Sequence, residues 1–462
     1  MSDAEPRPES PSPGPGLRAV LGPFDATMIV MGSIIGAGIF RVPAQIAGAA
    51  GDARWILALW VLGGAVSLCG ALVFAELGAS LPRAGGQYIF VREAFGRCAA
   101  FLLGWVLLTA VNSGAVAYVA GVFAEHLEKL SAHVRAGTDF GPRGRQVIAV
   151  ALIAGLTALN ARGVRLGATV QNAAMLTKVV GLVLIIALGA GALLGWVGVP
   201  ERAAAAPAGA TDWAGLGAAL ISVTFAYGGF QNVAAAAGEL RDPQRDLPRA
   251  ICVGTLAVIA LYLALNGSLV AILGVEGVAA SATPVADAAG AVLPGGEVLV
   301  AGLVMVSTFA IVQVILMVLP RIFYAMAQDG LFFASVARVH PRHATPHVAI
   351  WALGGLSILH VALASRLHDL LEICSLCDWV FFFLCALALF VLRARRPDLA
   401  RPFRVPGYPF VPGLFVVAAF AIVADILVNA QPRPVLTGLA LFALGFAFYL
   451  FWRRRAATSA DR

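Results

Sequence analysis

Apolar runs about twenty residues long, separated by short polar segments, dominate the chain, and each is near the ~20 residues that an α-helix needs to cross hydrocarbon. The pattern predicts twelve spans, at 25–47, 55–80, 97–125, 146–161, 167–196, 213–238, 250–274, 296–327, 347–364, 369–392, 412–430 and 434–452. The fourth and ninth are short for a crossing. The expectation is an all-α integral membrane protein with a single membrane domain over 25–452. Residues 1–24, with Pro6, Pro8, Pro11, Pro13 and Pro15, read as a disordered cytoplasmic tail without a cleavable signal, and 453–462 as a second tail.

The polar segments give an orientation. With the N-terminus inside, the inside segments hold clusters such as Arg241, Arg245 and Arg249, then Arg393, Arg395, Arg396, Arg401 and Arg404, then Arg453, Arg454 and Arg455. The outside loops hold few basic residues, half of them around 126–145, where a small extracellular element is expected. Positive charge accumulates on the cytoplasmic side, so both termini are expected there, in a plasma membrane, bacterial inner membrane being the first reading.

Composition agrees. The 462 residues are 60% hydrophobic and 12% charged, against about 25% charged in soluble domains. The net charge of +7 is therefore read as membrane orientation, and no nucleic-acid partner is expected. Cys374 and Cys377 form a C-x-x-C inside an apolar run. A zinc site needs two further ligands, so no metal is predicted, nor any cofactor.

Two spans carry breaks. The first reads Met28-Ile-Val-Met-Gly-Ser-Ile-Ile-Gly-Ala-Gly-Ile-Phe40, with Gly32, Gly36 and Gly38 close together. Each glycine costs about 1 kcal/mol in a helix interior relative to alanine. Small residues at this spacing also suit close helix packing. The sixth span, Phe225-Ala-Tyr-Gly-Gly-Phe-Gln-Asn232, has Gly228 beside Gly229. Interrupted helices at corresponding places in two halves of a transporter mark its binding site. An unwound helix offers N–H donors to a carboxylate and carbonyl oxygens to an ammonium. That arrangement suits a small zwitterion and needs no charged side chain.

These residues resemble the amino acid–polyamine–organocation superfamily. Gly32-Ser-Ile-Ile-Gly-Ala-Gly-Ile-Phe40 is similar to its first-helix motif. The 225–232 segment and Glu239-Leu-Arg-Asp-Pro-Gln-Arg-Asp-Leu-Pro248 are similar to the sixth helix and following loop of its L-type amino-acid transporter branch and bacterial relatives. Ala75-Glu-Leu-Gly78, Pro82-Arg-Ala-Gly-Gly-Gln-Tyr88, Asn160-Ala-Arg-Gly163, Ala325-Met-Ala-Gln-Asp-Gly330 and Arg401-Pro-Phe-Arg-Val-Pro-Gly-Tyr-Pro409 follow in the family's order.

The resemblance implies a LeuT-like five-plus-five inverted repeat (25–196 and 213–392), two additional C-terminal helices (412–452), and alternating access around a central site. It assigns the substrate carboxylate to the backbone of Gly36, Ala37 and Gly38, and the ammonium to carbonyls of Ile34, Phe225 and Gly228, with Ala226 beside them and Phe225 as an aromatic gate. Ala37 stands where many members have serine or threonine, and Gln231 where L-type members usually have asparagine.

A charge at the bilayer centre normally faces the bundle interior and has a task. Lys178 lies mid-span, and in some bacterial relatives a lysine here replaces a sodium ion. Lys178 is therefore expected to carry or substitute for the coupling cation, with a structural pin onto carbonyls of the first span as the alternative. Glu76, Asp378 and Arg41 are secondary candidates: a gate salt bridge or solvated helix end, an intramembrane acid, and an outer-vestibule residue. Arg241, Asp242, Arg245, Asp246 and Asp329 read as cytoplasmic loop salt bridges.

The function expected is secondary transport of amino acids, by proton-coupled symport or exchange, through an independent carrier with no obligatory accessory subunit. The alternatives are a polyamine or amine carrier, which would want acidic residues in spans one and six, and a substrate-sensing receptor. No span carries a catalytic set of side chains, so the protein is not read as an enzyme.

Overall fold

A computed structural model describes residues 16–36, 38–134, 139–199, 213–363, 367–429 and 432–460. Most of the predicted 1–24 tail, Ala37 and residues 461–462 lie outside the described residues.

The first predicted span is three pieces. Helix α1 (Pro23–Ile34) begins with proline at its first position, and Asp25 accepts the Gly22 N–H at 2.9 Å. Its last bond runs from the Ile35 N–H to the Met31 oxygen. Ile35 is extended (φ −74°, ψ 93°), and a single 3₁₀ turn at Gly38–Phe40 leads into α2 (Val42–Ala50). Gly51, at φ 64°, closes α2. Asp52 then caps α3 (Ala53–Ser80) by accepting the Arg54 N–H at 2.7 Å.

The chain continues through α4 (Gln87–Phe95), α5 (Arg97–Val106), a π-helical segment (Leu107–Asn112) and α6 (Ser113–Val134). Next come α7 (Gly141–Ala161), α8 (Val164–Leu193) and α9 (Trp213–Ala226). After α9 the helix gives way to a turn at 227–231 and a 3₁₀ helix (Asn232–Glu239). The remaining helices are α10 (Pro243–Ala280), α11 (Pro284–Val292), α12 (Gly296–Val318), α13 (Pro320–Gln328), α14 (His347–Leu363), α15 (Leu367–Arg395), α16 (Phe410–Asn429) and α17 (Pro432–Ala460).

Among the described residues, nine helices are long and apolar enough to cross a membrane, and three shorter apolar helices accompany them. Two of the three are short because the chain breaks: α1 and the Gly215–Ala226 part of α9 stop where the glycines begin. Helix α10 packs along α3 and α1, and α12 against α6 and α8. Greasy side chains such as Phe410 and Val428 point outward. Outward apolar surface of this kind matches a lipid surround.

Three expectations change. In the stretch 126–145, where a small element is foreseen, α6 runs on to Val134 and α7 begins at Gly141, while 135–138 lie outside the described residues. Amphipathic α4 and α11, which apolar length does not flag, fill two connections. The ends foreseen as tails are partly structured. Helix α17 runs on to Ala460, and the Val20 and Leu21 N–H groups donate to the Glu239 oxygen at 3.0 Å. The Arg241 N–H returns a bond to the Leu21 oxygen, making one parallel bridge. Trp452 of α17 packs on Phe332 and Phe333, so both described ends come to one face, called below the terminal face.

Candidate substrate site

The two breaks touch each other. Gly229 has φ +118°, and a Cβ there would sit 2.6 Å from the carbonyl carbon of Ser33. Only glycine combines that backbone region with so close an approach. The Gly228 N–H donates to the Phe225 oxygen at 3.0 Å, and the Gly229 N–H to Gln231 Oε1 at 3.0 Å. On the other strand of the crossing, the Ile34 oxygen accepts the Tyr262 hydroxyl at 3.2 Å. A Cβ on Gly36 would meet Ile311 Cδ1 at 2.9 Å, so the α1 break is pressed against α12. Gly32 lies inside α1 and lets Gln171 of α8 pack against the helix, which is the packing role its spacing allowed.

A cavity of about 250 Å³ opens where the breaks meet. Of the sequence-predicted residues, Ile34, Gly36, Gly38, Phe225, Ala226, Gly228, Gln231 and Asp378 line it. Ala37 is outside the described residues. The volume lies just under the ~300 Å³ lower bound for drug-sized ligands, as suits something of metabolite size. Phe225 is 49% exposed at the rim, not closed over the cavity. A second cavity of about 510 Å³ lies on the side away from the terminal face, and Tyr118 borders both. Arg41 belongs to this outer cavity, with Glu125, Lys129 and Glu297.

Lys178 stands outside the cavity, behind the α1 break. It is buried, and its Nζ donates to the Ile35 oxygen at 2.7 Å and more weakly to the Gly32 oxygen at 3.4 Å. The Ser307 hydroxyl donates to the same Ile35 oxygen at 3.3 Å. Backbone carbonyls freed by a break in a membrane must find donors, and Lys178, Ser307 and Tyr262 are those donors.

The terminal face is closed by polar ties. Asp329 accepts from Arg92 and from the Tyr88 hydroxyl, both at 2.6 Å, and its carbonyl accepts from Arg97. Burial, and then the neighbouring Asp329 carboxylate, push the Tyr88 phenol well above its usual value, so it stays a donor. Glu76 is no solvated helix end: it is buried, accepts from Arg393 Nε at 2.8 Å and takes the Val405 N–H at 2.6 Å. The charges that open α10 behave differently: Asp242 and Arg245 form only an exposed pair at 3.8 Å, which is worth little.

Sequence reasoning missed several residues here. Arg321 is buried and makes two 2.9 Å bonds to Glu239. Asn112, Tyr118 and Trp379 line the cavity; a lone asparagine in the apolar 97–125 run was the available signal. Trp60 packs edge-to-face on both Tyr227 and Tyr262, whose own rings lie tilted at 32° to each other. Among the described residues no group of His, Cys, Asp and Glu is arranged to hold a metal.

Paired helix breaks around a small cavity inside an apolar helical bundle define a membrane transporter of the amino acid–polyamine–organocation type. The chain belongs to the amino acid permease family, whose model matches residues 21–449. It is 29% identical to the serine/threonine exchanger SteT of Bacillus subtilis, over 96% of this chain and 99% of that one. It is 28% identical to the branched-chain amino acid permease BcaP of the same organism, over 95% and 94%. It is 29% identical to the human large neutral amino acids transporter small subunit 2, over 100% of this chain and 86% of the relative.

Proposed function

We propose that this protein carries amino acids across a membrane as a secondary transporter, binding them in the cavity between the two breaks. The single observation behind this reading is the contact of the Gly229 and Ser33 backbones. It brings the end of α1 and the turn after α9 together, and in this reading the N–H and carbonyl groups left by both breaks serve a zwitterion there. In this reading Gly36, Ala37 and Gly38 receive the carboxylate, and Ile34, Phe225 and Gly228 the ammonium. The twelve crossings form a five-plus-five inverted repeat over 25–196 and 213–392, with 412–452 added. The terminal face is cytoplasmic, in a bacterial inner membrane.

The cycle is alternating access, by exchange or proton-coupled symport. The arrangement supports an outward-facing state: the ties of Asp329, Glu76 and Glu239 hold the cytoplasmic side, while Phe225 stands open beneath the outer cavity. Lys178 fills the role of the coupling cation. The human relative is named as a small subunit. This chain is read as an independent carrier, because no cysteine is foreseen in its outer loops to hold a partner.

The test is a thermal-shift screen of the purified protein against all amino acids and polyamines, followed by uptake into liposomes. A ligand that binds only the folded state raises its stability. Silence from every amino acid sinks this reading. Uptake that rises with an imposed inward proton gradient selects symport; uptake that needs internal amino acid selects exchange.

A further inference from the structure

The cavity has an unbalanced charge. Among its described lining residues, Asp378 of α15 alone carries a formal charge. No hydrogen bond or ion pair joins it to any other described residue. The intramembrane cation nearest in role, Lys178, is turned away and occupied by the Ile35 and Gly32 oxygens. The outer cavity, by contrast, mixes both signs through Arg41, Lys129, Glu125 and Glu297. A carboxylate in a water-poor site is costly unless it is paired. A cationic group that enters the cavity would be a partner for it.

A neutral amino acid does not supply one. Its ammonium and carboxylate balance each other, and the backbone groups of the breaks take both. Asp378 lies on α15, next to Trp379, and so lines the cavity from a helix other than α1 and α9. It therefore faces the part of the ligand that projects away from the breaks, its side chain. We infer that the substrate is a dibasic amino acid, of the lysine, ornithine or arginine class, whose side-chain cation pairs with Asp378. Trp379 and Phe382, also lining the cavity, give the methylene stem an apolar surface. Charge-assisted hydrogen bonds of this kind are about twice as strong as neutral ones. Polyamines lack the carboxylate that the N–H groups of the α1 break would hold, so a diamine of equal length is expected to bind less well.

This inference rests on the proposed function, and the experiment separates the two. The purified full-length protein is reconstituted in liposomes, and uptake of radiolabelled lysine and of leucine is measured at one pH. Excess lysine, ornithine, cadaverine, leucine and serine serve as competitors. Lysine and ornithine are expected to compete at least tenfold better than leucine, and cadaverine poorly. The conservative D378E is expected to retain a preference for lysine. D378N is expected to move the lysine-to-leucine uptake ratio by tenfold or more toward leucine.

If neutral amino acids are carried and lysine does not compete, the inference fails while the transporter reading stands. It fails likewise if D378N leaves the ratio unchanged, or if D378N alters only the response of leucine uptake to a proton gradient, which makes Asp378 a proton site. If no amino acid binds or moves, the transporter reading itself falls. Competition on the wild-type protein decides the matter even if both variants misfold.

Discussion

Lys178 reaches from α8 to bring its Nζ within 2.7 Å of the carbonyl oxygen of Ile35, the first residue beyond the end of α1. The helix break and the buried cation are thus one unit. Hydrogen bonds to charged groups contribute about 1.5–3 kcal/mol. K178M removes the ammonium and leaves the Ile35 oxygen with the Ser307 hydroxyl. Initial uptake rates in liposomes are expected to fall more than tenfold, with the variant still eluting as a single species in detergent. Normal uptake by K178M would refute a role in transport.

Gly229 makes the crossing of the two breaks possible, so G229A should damage both stability and binding. A non-glycine residue held at φ +118° costs about 1–3 kcal/mol in backbone strain, before the clash with Ser33 is added. The expected result is a lower melting temperature and loss of the stabilisation that substrate gives. The neighbouring G228A meets only the Phe225 oxygen, at 3.2 Å, and should be the milder of the two.

The buried Glu239–Arg321 pair ties the 3₁₀ helix after the second break to α13. Removing one partner of such a pair typically costs about 3–5 kcal/mol, whereas replacing both with apolar groups often costs little. R321M should therefore lower thermal stability strongly. E239M with R321M should recover part of the loss, as read by a double-mutant cycle.

Phe225 is half exposed at the cavity rim. If it closes over bound substrate, F225C will react with a membrane-impermeant thiol reagent in the free protein and severalfold more slowly with saturating substrate. Equal rates in the two conditions would argue against a gate at this position.

The spans and both breaks were legible because each depends on local sequence: apolar run length, and glycines inside those runs. Gly228 could be picked out for the same reason, whereas Phe225 and Gln231 stood out only through the family resemblance. The Glu239–Arg321 pair could not, because its partners are 82 residues apart and neither residue alone points to the other. The π-helical turn at Leu107–Asn112 escaped because its sequence has no glycine or proline. It shows in the fold as the Ser113 hydroxyl donating to the Leu108 oxygen at 2.7 Å. Helices α4 and α11 were missed because nine residues are too few to stand out as spans.

The bridge between Leu21 and Leu240 gives the protein a handle. The segment leading into the first broken helix is bonded to the residue that ends the second. A pull or a bulky fusion at the amino end is therefore delivered to the hinge after Gly229 as well as to α1. Epitope tags and fluorescent partners placed there are expected to slow uptake. The far end of α17, whose Trp452 packs on Phe332 and Phe333, is the alternative place to attach them.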